Sequence, residues 1–153
     1  MSQRQRHKLS AAVFVVLARG TEICMLRRKG TGWMDGWFSI PAGGLEAAET
    51  ISMAAIRETS EEVGIEIDSN DLEYAHTSHC LTAGEDWVGH FFLVRVWSGT
   101  PRIREPDKHD ELAWYSMDTL PETTIPYVRQ ALRCIASGQR YSEFGWPAAS
   151  GES

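Results

Sequence analysis

Between Thr50 and Val63 an apolar stripe runs into three glutamates. Ile51, Ala54 and Ala55 stand seven positions ahead of Glu58, Glu61 and Glu62. Seven residues are close to two helical turns, so in a helix the apolar groups and the carboxylates share one continuous face. Thr50 is a suitable N-cap, and Gly64 suits the left-handed position that closes a helix. An apolar stripe faces the protein body, so carboxylates at its far end face a protein-lined cleft. Like charges at i, i+3 and i+4 repel. No Lys or Arg follows any of the three by four residues, and only Arg57, four before Glu61, can help. A hard divalent cation with oxygen ligands would resolve the repulsion; the competing reading is a solvated acidic face.

The remaining sequence sets the frame around that helix. A chain of 153 residues, 42% hydrophobic and 24% charged, is the size and composition of one globular domain. We expect a core over residues 9–137 and a tail over 138–153, with GWPAASGES fraying at the end. No apolar run nears 18 residues, so no membrane helix is expected. The opening MSQRQRHKLSAAVFVVLARG has the outline of a signal peptide. Its apolar run is short and Val-rich, ends at Arg19-Gly20 and lacks an A-x-A-like site, so a first strand fits it better. Cys24, Cys80 and Cys134 form no CxxC pair and read as buried thiols of a reducing cytoplasm. The net charge of −6, with no basic block, argues against a nucleic-acid polymer as partner.

Leu9 to Leu17 and Thr21 to Leu26 read as strands, and residues 29 to 37 as a Gly- and Trp-containing loop. Phe38 to Pro41 reads as extended and Gly43-Gly44 as a loop. Leu72 to Leu81 and Val88 to Val96 read as strands joined through TAGED. Glu111 to Tyr115 reads as a last short strand, and Ile125 to Ala136 as a closing helix entered at Pro126. Strands outnumber helices without regular interleaving, which gives an α+β class.

Gly43, Glu49, Arg57, Glu58, Glu61, Glu62 and Gly64, with Ile65, match GX5EX7REUXEEXGU, where U is a bulky aliphatic residue. Seven identities at fixed spacing arise by chance on the order of 10^-8 per window, at roughly 7% usage per residue type. Thr59 is the one departure, and its size suggests slightly poorer packing with no lost chemistry. On this motif the chain resembles the Nudix (MutT-like) hydrolases. Trp37 to Gly44 resembles that family's approach to the box, with Ala42 where Gly is commoner. Trp97-Ser98-Gly99-Thr100-Pro101 through Glu105 resembles its W-x-G-x-P segment, and Trp114 with Leu120-Pro121 its W-x5-L-P stretch.

The resemblance covers roughly residues 9 to 137. It implies a Nudix fold, a mixed sheet between helices (α/β/α), and water attack on a pyrophosphate linkage. It assigns Glu58, Glu61 and Glu62 to Mg2+, with Mn2+ able to substitute, and the Ala42 carbonyl as a further ligand. Arg57 would orient the glutamates. Glu49 would orient Arg57, support the loop or contact a second metal. Glu61 and then Glu105 are the candidate bases; Glu105 also belongs to a charged cluster with Asp107, His109, Asp110 and Glu111 that reads equally as a solvated loop. Of Arg27 and Arg28, alternation would send one towards phosphate, or both would form an exposed strand end. Trp33, Trp37 and Trp87 could stack on a base or simply pack. His76, His79 and His90 read as structural.

The expected substrate is a small-molecule nucleotide, foremost a (deoxy)nucleoside triphosphate. ADP-ribose, a nucleotide sugar or a dinucleoside polyphosphate is the alternative, and a non-catalytic nucleotide-binding module is another. A homodimer would be in keeping with the family. Thr123-Thr124-Ile125-Pro126 offers no Asn or Asp where some members read the base.

Overall fold

The Val-rich run near the start becomes β1 (Ser10–Arg19), the middle strand of one mixed sheet. The computed structural model describes residues 4–148. β2 (Glu22–Arg28), β3 (Phe38–Ser39) and β4 (Ala42–Gly44) follow, then α1 (Ile51–Val63), β5 (Glu73–Thr82) and β6 (Glu85–Val94). β7 (His109–Ser116), α2 (Pro126–Ala136) and β8 (Tyr141–Phe144) complete the order. The main path is β3-β2-β1-β6-β5-β8, with β4 joined to β1 and β7 to β2. β1 runs parallel to β6 and β8 parallel to β5; the other pairings are antiparallel.

The unbroken apolar character of β1 follows from cover on both faces. Val13, Val15 and Leu17 point to one side, where they pack with Ala54, Ala55 and Val63 of α1. Phe14, Val16 and Ala18 point to the other and meet Val128, Ala131 and Leu132 of α2. The sheet is therefore sandwiched between helices, as the α+β Nudix reading expected. Cys24, Cys80 and Cys134 are buried free thiols, and burial pushes the Cys24 pKa up to about 12.

Two strands depart from the sequence reading. Ala42–Gly44, whose Gly43-Gly44 pair was expected to be loop, pairs antiparallel with Ala12–Phe14 of β1. Tyr141–Phe144, expected in the tail, lies beside Thr77–Cys80 of β5. Fully buried His76 pins that edge: Nδ1 meets the Gln139 carbonyl at 2.7 Å and Nε2 the Ser142 hydroxyl at 2.8 Å. Residues 145–148 extend past β8, where the Trp146 indole N–H donates to the His79 carbonyl at 3.0 Å. The rest of the segment expected to fray, 149–153, lies outside the described residues.

Candidate active site

Helix α1 begins and ends as its sequence dictates. The Thr50 hydroxyl accepts the Met53 N–H at 3.1 Å, and Gly64 takes φ 72°, its N–H reaching the Ser60 and Thr59 carbonyls. With Ala54, Ala55 and Val63 seated on the sheet, Glu58 and Glu62 turn inward. Their side chains are 15% and 12% exposed, whereas Glu61, at 52%, stands on the rim. Buried Thr59 satisfies its hydroxyl on the Ala55 and Ile56 carbonyls, both at 3.0 Å, so this departure from the motif leaves no polar atom unmet. Burial drives the Glu62 carboxyl well above the usual carboxylate range. Nearby Glu58 and Glu105 add to that shift, while the Ala42 N–H, donating to Oε2 at 2.8 Å, opposes it. Burial also raises Glu58, against the pull of Arg57.

Arg57 ties these acids together. Its Nε and Nη2 form a fork on Glu49 at 2.7 and 2.9 Å, Nη1 donates to Glu58 at 2.9 Å and Glu61 at 3.2 Å, and Nη2 also reaches the Gly44 carbonyl at 2.9 Å. The fork holds Glu49 below the usual carboxylate range. Lysine cannot reproduce a planar fork. Arg57→Lys is therefore expected to lower kcat at least roughly tenfold, about 1.4 kcal/mol, as initial rates would show. A value within threefold of the parent would remove Arg57 from this orienting role.

A second segment brings the far wall. The backbone N–H groups of Arg102 and Arg104 donate to the Val63 and Glu62 carbonyls at 3.0 and 3.2 Å, taking up open carbonyls at the end of α1. This contact lays Glu105 beside Glu62. A turn then delivers His109, whose N–H donates to the Glu105 carbonyl at 3.0 Å. One donor atom each from Glu62, Glu105 and His109 lie within 4.8 Å of one another. Burial pushes the His109 pKa down, which favours the neutral ring at its 3.9 Å approach to Glu62.

The charged cluster from Glu105 to Glu111 thus divides. Glu105 and His109 enter the site, while Asp110 and Glu111 turn to Arg27. Sequence reasoning gave His109 no role of its own; its place among acids was the only signal.

The acids line a cavity of about 410 Å³ whose cations are Arg28 and Lys108. Beside it lies a second cavity of about 270 Å³, walled by Phe14, Trp33, Trp87, Ile125 and Tyr127. Arg28, Ala42 and Gly43 border both. Arg28 also holds the aromatic wall: Nε donates to the Trp33 carbonyl at 2.9 Å, and its guanidinium lies 4.9 Å from the Trp33 ring centroid. Two of the candidate substrate-binding residues do not line these cavities. Arg27 points away and donates to Asp110 at 2.7 Å, because alternation sends it to the opposite face. Trp37 packs against the core and borders neither cavity. Glu49 and Gly64 lie outside the lining of the cavity, where Glu49 takes the Arg57 fork and Gly64 closes α1.

Residues 6–133 match the NUDIX domain, and the chain belongs to the NUDIX family of hydrolases. It is 30% identical over 132 residues to the 8-oxo-dGTP diphosphatase of Escherichia coli (strain K12), covering 82% of this chain and 98% of that one. It is also 30% identical over 117 residues to the NAD-capped RNA hydrolase NudC of Pseudomonas aeruginosa (strain LESB58), covering 76% of this chain; the chain spans only 40% of the length of that relative. Among solved structures, a MutT NUDIX hydrolase from Burkholderia pseudomallei superposes with a TM-score of 0.76 at 29% identity, over 83% of this chain and 98% of that one. Among the described residues no helix is long and apolar enough to cross a membrane.

Proposed function

We propose that the chain hydrolyses a pyrophosphate linkage of a (deoxy)nucleoside triphosphate with the help of Mg2+. The observation that carries this reading is the junction of an acidic cavity and an aromatic cavity at Arg28, Ala42 and Gly43. A polyphosphate and a base are joined in the same way. The aromatic cavity beside the acids has room for one base, which favours a mononucleotide over a dinucleoside polyphosphate.

The donors fit a hard dication. Glu58, Glu61, Glu62 and Glu105 line a cavity whose cationic lining among the described residues is Arg28 and Lys108, with Arg57 holding Glu58 and Glu61 from outside it, and burial disfavours the charged forms of Glu58 and Glu62. Gly43 leaves the Glu58 carboxylate room that a Cβ would fill. Glu58, Glu61 and Glu62 would hold the ion, with the Ala42 backbone at the wall. When bound, Mg2+, or Mn2+ on ligand grounds, neutralises phosphate charge and lowers the pKa of a water. Arg28 and Lys108 meet the phosphate oxygens. Glu61 accepts the proton of the attacking water, with Glu105 as the alternative where it does not ligate the ion, since Arg57 and Lys108 hold them only through longer contacts of 3.2 and 3.4 Å.

The base is held by stacking and shape. Buried Thr124 donates its hydroxyl to the Pro121 carbonyl at 2.7 Å, so it does not read a base edge. Ile125 takes the wall instead. Stacking of a base on an aromatic ring is worth about 1–3 kcal/mol. Trp33→Ala is accordingly expected to raise KM about tenfold with kcat within threefold, which steady-state kinetics would read; an unchanged KM would remove Trp33 from the base site.

A panel of nucleoside triphosphates, ADP-ribose, nucleotide sugars and dinucleoside polyphosphates with Mg2+ tests the substrate class through released phosphate and pyrophosphate. Triphosphates should turn over fastest. A faster ADP-ribose or nucleotide sugar would overturn the substrate assignment, and no turnover at all would overturn hydrolysis.

A further inference from the structure

His109 differs from the other buried histidine of this fold. His76 gives both ring nitrogens to protein partners. His109 is 6% exposed, yet among the described residues its Nδ1 has no hydrogen-bond partner. Its Nε2 stands 3.9 Å from Glu62 Oε1, beyond hydrogen-bond reach. Deeply buried imidazoles ordinarily satisfy their nitrogens, so an unmet ring beside two carboxylates calls for a physical account.

The spacing supplies one for Nε2, the nitrogen that faces Glu62. Two ligands each about 2.1 Å from a common ion can be up to ~4.2 Å apart. The 3.9 Å pair of His109 and Glu62 can therefore straddle an ion almost as it stands, and the 4.8 Å limit over the three donors closes with a small side-chain shift. The ring is also well anchored. His109 opens β7 opposite Arg28, and its backbone N–H is bonded to the Glu105 carbonyl, so the imidazole and the Glu105 carboxylate are carried by one turn. Ala42 fixes the Glu62 carboxylate from the other side.

We propose that His109 completes a mixed nitrogen–oxygen cation site with Glu62 and Glu105, and that it raises the affinity of this cavity for transition-metal dications such as Co2+ and Ni2+ relative to Mg2+. Imidazole is a good ligand for the former, whereas Mg2+ takes oxygen ligands and keeps its waters. This rests on the cation-binding reading of the cavity and adds the claim of selection by a nitrogen donor. A histidine that merely packs would leave both affinities unchanged.

The test needs no substrate. The untagged full chain and His109→Asn are titrated calorimetrically with Co2+ and, separately, with Mg2+. The expected result is a tenfold or greater loss of Co2+ affinity in the variant, with Mg2+ affinity altered less than threefold. The visible absorption of bound Co2+ should also change on substitution. Equal Co2+ affinity in the two proteins, or an equal loss for both ions, overturns the role of His109. A parent that binds neither ion overturns the cation reading of the cavity itself, and the two failures are thereby distinguished. His109→Gln serves in place of the asparagine variant if the latter does not fold. The parent alone provides a further readout: a hyperfine-shifted, exchangeable imidazole N–H resonance in the Co2+ form is expected, and its absence counts against ligation.

Discussion

Gly43→Ala is expected to remove at least 99% of turnover while moving the melting temperature by no more than about 3 °C. A Cβ at Gly43 would overlap the carboxylate of Glu58. The backbone cannot retreat to make room, because Gly43 is paired with Val13 of the central strand and its neighbours with Ala12 and Phe14. The side chain at the end of the clash must move instead. Glu58 can rotate away at small cost to the fold, since its tip is the flexible end of a long side chain. That rotation breaks its 2.9 Å bond to Arg57 and takes an oxygen donor out of the cavity. Losses of 100-fold correspond to about 2.7 kcal/mol of transition-state stabilisation, within what misplacing a positioned group can cost. Turnover within tenfold of the parent would mean that Glu58 is not held where the chemistry needs it. A collapse of thermal stability would mean that the glycine serves the strand and not the site.

The same residue shows where sequence reasoning reached and where it stopped. The helix α1 was legible because its determinants are local: a Thr cap, a 3.6-residue stripe and a left-handed Gly. Its inward face was legible for the same reason, and Glu58 and Glu62 lie where the stripe put them. β4 was not legible, since Ala42-Gly43-Gly44 has the composition of a turn and becomes strand only through β1. β8 is short, and a buried histidine from β5 and a parallel neighbour hold it in place. For the arginine pair, alternation predicted opposite faces but not which face held the cavity. His109 illustrates the largest gap: its meaning comes from Glu62 and Glu105, and although the segment ending at Glu105 resembles a family motif, nothing local in the sequence joins His109 to these acids or shows residues 102–104 bonded to the end of α1.

Glu62→Gln should separate stability from activity more sharply than any other change. The folded protein raises the Glu62 pKa well above its ordinary 4.5, chiefly through burial. A carboxyl with a raised folded pKa favours folding below its unfolded pKa, and that contribution is lost as pH rises through the folded value. At pH 8 in EDTA the parent must therefore either bury a charge or take up a proton on folding, costs that glutamine avoids. The amide keeps the shape and can still accept the Ala42 N–H. The variant should melt higher than the parent at pH 8 in EDTA, by roughly 2–4 °C for each kcal/mol relieved. The gap should shrink as pH falls towards 4.5, where the parent carboxyl is protonated. Added Mg2+ should raise the melting temperature of the parent more than that of the variant, because a ligand of the native state stabilises by its own binding. Turnover should fall at least 100-fold, the scale of metal-assisted charge stabilisation. A variant that is less stable than the parent at every pH, with kcat within tenfold, would show that Glu62 is a structural acid held by Ala42 and not a member of the reactive site.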